Sequence, residues 1–301
     1  MQRRIFWYEF LLLWGIAAVG AMLELLLTRF PAEALANQLY IPFHLQSAVG
    51  ISIALTAQVG LQLAVATGVG LWAAHQVGLG APVLEAWLQN KPVRELLRHL
   101  VLPVVFTALL VSVFSNLPDL SAFHPNRRQR TAELTAFLQT PEGMKLQEQI
   151  GKLEPPPRRL TFFSQTLFYT ESAVAGGIYD QLFMVSVFII LLLQIRRMRG
   201  SGADTKLLWG AILIVSAIRA INLVARQSSP SQIDQIMLAA FPTHRDSLSL
   251  VVARDLVRIV PSGGVLGWLY VRYGIEAAIL ASFMGAVLGY LLLIHLFVYF
   301  A

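Results

Sequence analysis

The chain of 301 residues has no cysteine. That excludes disulfide frameworks, thiolate metal sites and cysteine nucleophiles together, and leaves the redox compartment unspecified. Charge is scarce as well: Asp, Glu, Lys and Arg make up 13% of the chain, against about 25% in a soluble globular domain. An ordinary cytosolic enzyme is excluded on that ground. What is present instead is apolar, with 56% hydrophobic residues and a mean hydropathy of +0.63. A disordered chain lacks apolar surface and this one has an excess, so the class expected is a polytopic membrane protein.

A helix crossing roughly 30 Å of hydrocarbon needs about 20 mostly apolar residues. Stretches of that kind lie near residues 5–28, 47–74, 94–115, 162–195, 207–225, 247–271 and 275–300, which predicts an all-α bundle of about seven spans in a single transmembrane domain over 1–301. Barrel strands are excluded because the runs lack short polar–apolar alternation. Arg272, Tyr273 and Gly274 form a tight turn between the last two spans. The N-terminus also admits a signal-peptide reading, with Arg3 and Arg4 before an apolar run and Ala18-Val19-Gly20 as a small-residue cleavage site. Glu9 interrupts that run, which also continues past the cleavage site, so a retained first span is the simpler reading.

The net charge is 23 − 17 = +6, and the placement of the basic residues explains it. With a cytoplasmic N-terminus, that side receives Arg3 and Arg4, then Lys91, Arg94 and Arg98, then Arg196, Arg197, Arg199 and Lys206, and finally Arg272. The other side's short loops receive Arg29, Arg226 and Arg245. The positive-inside rule then gives a cytoplasmic N-terminus and an outside C-terminus, and a cytoplasmic membrane of bacterial type is the expected location. The charge sets topology and attracts anionic lipid, and no nucleic-acid partner is implied. The one long polar segment, 116–161, is an extramembrane loop in which basic and acidic residues nearly balance. Within it Thr140-Pro141 reads as an N-cap with proline at the first helical position. Leu146, Ile150 and Leu153 give one apolar stripe, and Pro155-Pro156-Pro157 ends a short surface helix.

Charges inside spans cost about 2.5–3.5 kcal/mol each on insertion scales, so each needs a partner or a purpose. Glu171 and Asp180 fall in the fourth span, Arg219 in the fifth, and Arg254, Asp255 and Arg258 in the sixth, while Glu9 and Glu24 lie nearer the ends of the first. Ion pairs that fix packing and a functional cavity both account for them. In the fourth span Ala175-Gly176-Gly177 permits close helix approach, but a packing motif does not explain Asp180 and Gln181. Arg219 and Asn222 share a helix face, as do Arg254 and Arg258, which lead to a kink or thinning at Pro261-Ser262-Gly263-Gly264.

The run from Gly267 to Ala281, GWLYVRYGIEAAILA, closely resembles the last block of the CPBP family of intramembrane proteases, which includes the type II CAAX prenyl endopeptidases. Val77 to Leu84 resembles the loop after the second span in that family, and Ala175 to Tyr179 the lead-in to its EExxxR motif. The resemblance covers mainly 76–84 and 171–290. It implies a membrane-embedded bundle in which a Glu pair and two His residues activate water against a peptide bond.

The family's catalytic positions are substituted here. Asp180 and Gln181 stand at the Glu pair, Val185 at the motif arginine, Asn222 at the first histidine, Ser282 at the second, and Ala286 where Asn or Asp follows. Gln181 cannot take a proton, and Asn222 and Ser282 neither shuttle protons near neutral pH nor ligate transition metals well. Losing a general acid or base removes about 100-fold to 10,000-fold in rate. The other histidines show no pair at helical ligand spacing, so neither a metal nor another cofactor is expected.

Three functional readings result. The first is a catalytically inactive pseudoprotease that retains a binding cleft, with membrane lipids and a membrane protein or peptide as partners. The second is an active endopeptidase built on Asp180, against which Glu171, nine residues earlier, falls on the opposite helix face. The third is a transporter or channel with a path lined by Asp180, Arg219 and Arg254. Within the first, Asp180 and Arg219 form a buried ion pair across the old cavity, or Arg219, Arg254 and Arg258 line a pocket for an anionic headgroup or peptide C-terminus.

Overall fold

The computed structural model describes residues 2–28, 48–116, 127–153, 169–170, 172–198, 205–227 and 248–300. Among these there is no strand. The helices are α1 (Gln2–Thr28), α2 (Ala48–Gln76), α3 (Pro82–Leu88), α4 (Val93–Asn116), α5 (Arg127–Leu138), α6 (Pro141–Leu153), α7, α8 (Thr205–Gln227), α9 (Leu248–Tyr273) and α10 (Ile275–Phe300). The seventh is composite: an α-helical turn over 172–176, a π-helical stretch Gly177–Val185, and an α-helix Ser186–Met198.

Four helical stretches are long and apolar enough to cross a membrane: Ala57–Gln76, Val93–Asn116, Ser172–Ile195 and Thr205–Asn222. The protein is therefore all-helical with the composition of an integral membrane protein. Shorter apolar stretches run through α1 (Ile5–Gly20) and α10 (Ile275–Gly289). In α9 the apolar sequence is broken by Arg254, Asp255 and Arg258. Prolines sit inside two long helices, Pro103 in α4 and Pro261 in α9, and both helices run through them. Where the expected break at 261–264 lies, Ser262 Oγ donates to the carbonyls of Arg258 and Ile259. Such local hydroxyl bonds help membrane helices accommodate proline.

Small residues set how closely the helices approach. At Gly70 of α2 a Cβ would lie 3.0 Å from the backbone carbonyl of Leu182 in α7. At Gly177 a Cβ would lie 2.5 Å from Ile279 Cγ1 of α10, and at Gly267 of α9 it would lie 2.7 Å from Ile212 Cγ2 of α8. Each glycine thus admits its neighbour closer than alanine would, as expected of helices that associate through packing without a hydrophobic drive from water. Within the 261–264 segment, where a kink or thinning was expected, Gly263 also faces α8: a Cβ there would lie 2.6 Å from Ser216 Oγ. A large core joins α1, α2, α7 and α8 with Tyr270, Ile275 and Ala278. A second brings Leu100, Val104 and Val111 of α4 against Leu266, Leu269, Ala277 and Ala281.

The α9–α10 turn is held at Gly274, whose φ of +94° is open to glycine and strained for other residues. Its position is fixed from both sides. Gly274 N donates to Tyr270 O at 2.8 Å, and Ile275 N donates across the bundle to Gly80 O at 3.1 Å. In the polar segment Gly143 N donates to Thr140 Oγ1 at 3.1 Å, an N-cap on α6. The structure adds a second helix, α5, packed against α6. Pro155, Pro156 and Pro157 lie outside the described residues.

Candidate functional site

Asp180 lies four residues into the π-helical stretch. A π-helix widens the backbone by one residue per turn and occurs often at functional positions. The carboxylate is turned toward α8, where Arg219 Nη1 meets Asp180 Oδ2 at 2.7 Å. The aspartate side chain is 22% exposed and the arginine 47%. The pair foreseen between these spans is present, and it is only half-buried. Arg219 is near the end of its apolar stretch, which closes at Asn222, so the guanidinium can extend toward polar surroundings while its stem stays in contact with the bundle.

The adjacent Gln181 points the other way, into the core, at 4% exposure. Its Oε1 is buried and has no hydrogen-bond partner among the described residues. One turn further on, Ser186 and Tyr270 share a hydrogen bond at 2.5 Å in a fully buried setting. Ser282 is half-buried on α10, three residues beyond Ile279, whose side chain covers Gly177. The helical period therefore puts Ser282 on the α10 face that meets the π-helical stretch. Asn222 does not turn inward: it lies on the exposed face of α8. Val185, at the position of the motif arginine, is buried in the core.

Arg254 Nε stands 3.9 Å from Asp255 Oδ1 on its own helix. Asp255 is buried, and its Oδ2 has no hydrogen-bond partner among the described residues. Arg258 is exposed. Glu171 and the side chain of Glu24 lie outside the described residues.

A second polar cluster was not apparent from the sequence. Glu9 of α1 is fully buried, and its Oε2 lies 2.8 Å from His75 Nε2 near the end of α2. Glu85 of α3 completes the group, with one possible ligand atom from each residue within 4.8 Å of the others. Burial and the neighbouring Glu9 carboxylate push the Glu85 carboxyl above its ordinary value, with His75 and Lys91 pulling the other way. Beside them Glu276, at the start of α10, accepts a hydrogen bond from Leu84 N at 2.9 Å on Oε1, while its Oε2 is buried without a partner. The sequence search for histidine pairs at helical spacing missed this group because it draws one residue from each of three helices. Its only sequence signal was Glu9, an acid within an apolar run.

Comparison with protein-family models, with curated proteins and with solved structures found no match.

Proposed function

We propose that the chain is a multi-pass membrane protein of about seven spans with the CPBP-type fold, in which the protease centre has lost its chemistry and a membrane-embedded binding cleft is kept. The observation that carries this reading is the Asp180–Arg219 pair at 2.7 Å. A general base must be free to take a proton from water. Here the only carboxylate at the motif position is held by a guanidinium, which competes with water for its oxygen.

A further observation supports the reading. The Val77–Leu84 loop and the Gly267–Ala281 block, which carry the resemblance separately in the sequence, are joined by the Ile275–Gly80 and Leu84–Glu276 hydrogen bonds. Membrane lipids and a membrane protein or peptide are the partners this implies, with the N-terminus on the cytoplasmic side.

The test is a cleavage assay on the protein in proteoliposomes, with a prenylated CAAX peptide and a transmembrane peptide as substrates. The expected result is the same background for the wild type and for Asp180→Ala. Cleavage that Asp180→Ala abolishes would show a working endopeptidase and overturn the proposal.

A further inference from the structure

We propose that Glu9, His75 and Glu85 form a binding site for one divalent first-row transition cation, of the zinc or manganese type, that ties α1 to the turn between α2 and α3. The proposal uses none of the motif positions, so it stands or falls apart from the protease resemblance.

The first observation is convergence. One nitrogen and two carboxylate oxygens from three helices lie within 4.8 Å of one another. Tetrahedral ligands at about 2.0–2.2 Å from one ion lie about 3.3–3.6 Å from each other, so the widest of these separations closes by about 1 Å through side-chain rotation when the ion enters. The second observation is an unmet electrostatic demand. Glu9 is fully buried, yet its Oε1 has no hydrogen-bond partner among the described residues. Glu276 Oε2 is in the same condition nearby. A buried carboxylate oxygen without a donor is costly, and at Glu85 the His75 and Lys91 charges work against the neighbouring Glu9 carboxylate. A divalent cation supplies the missing positive charge.

The donor set selects the ion. Magnesium and calcium prefer all-oxygen shells, whereas an imidazole with carboxylates suits zinc, manganese or iron. His75 is about one-third exposed (34%), so water can complete the coordination from that side. Phe6 packs its ring against His75 at a centroid distance of 6.0 Å and restricts how the imidazole turns.

The experiment uses the full chain in detergent, stripped with chelator and titrated calorimetrically with zinc, manganese and magnesium chlorides in turn. One zinc or manganese per chain is expected, with magnesium at least tenfold weaker. His75→Gln and Glu85→Gln should each weaken binding at least tenfold, and Glu95→Gln, on the exposed face of α4, should leave it unchanged. X-ray absorption of the metal-loaded wild type, which needs no variant to fold, should show one imidazole among oxygen ligands. Absence of stoichiometric zinc or manganese binding overturns the proposal, and so does unchanged affinity in both variants. A shell with no imidazole, or with more than one, does the same, and the acids then hold a shared proton.

Discussion

The Asp180–Arg219 pair offers the sharpest energetic test, because its geometry lies between two well-characterised limits. Exposed ion pairs contribute about 0.2–1 kcal/mol, whereas breaking a fully buried pair costs about 3–5 kcal/mol. With the guanidinium 47% exposed and the carboxylate 22%, solvent screening removes most of the buried value, and a coupling of about 1–2 kcal/mol is expected. The perturbation is a double-mutant cycle of Asp180→Asn, Arg219→Gln and the two together, followed by reversible unfolding in mixed micelles. Asp180→Asn should destabilise more than Arg219→Gln combined with it does further, because the second substitution removes a charge already unpaired. If the two effects add within about 0.3 kcal/mol, the 2.7 Å contact carries no coupling and the argument that Arg219 occupies the would-be base fails.

Tyr270→Phe should cost about 1–3 kcal/mol by leaving the Ser186 hydroxyl without a partner, and Ser186→Ala added to it should recover part of that loss in the same unfolding measurement. Gly177→Val should be destabilising by about 1–3 kcal/mol, since its Cβ would lie 2.5 Å from Ile279 Cγ1, and Ile279→Ala in the same chain should relieve it. Gly274→Ala, at φ +94°, should cost about 1–3 kcal/mol, read as a lowered unfolding temperature. In chelator, Glu85 has a folded-state value raised above the ordinary 4.5. Its contribution to stability is therefore complete below pH 4.5 and lost as pH rises through the raised value, a loss that Glu85→Gln should remove from a pH titration of stability.

Much of the fold was legible because a bilayer imposes a one-dimensional rule. A run of apolar residues long enough to span hydrocarbon must be helical, whatever its neighbours. Each of the seven apolar stretches coincides with a helix where the residues are described, four of them long and apolar enough to cross a membrane, and α6 starts at Pro141 behind its threonine cap. The pairing of Asp180 with Arg219 was legible for a related reason: charges in spans are few and must find one another. Its half-buried character was not legible, because exposure depends on how far along α8 the arginine sits relative to α7.

Composition and periodicity alone determined that the chain is helical and apolar enough for a membrane, where its long apolar helices lie and which few charges they carry. Only the tertiary structure decided that Asn222 faces outward while Gln181 faces the core, and that Glu9, His75 and Glu85 meet. The physical reason is that a helix's own sequence fixes which residues share a face, while the side each face presents and its depth are set by neighbouring helices packed at glycines such as Gly70 and Gly177. A cluster assembled from three helices has no period along the chain, and so no pattern in the sequence could announce it.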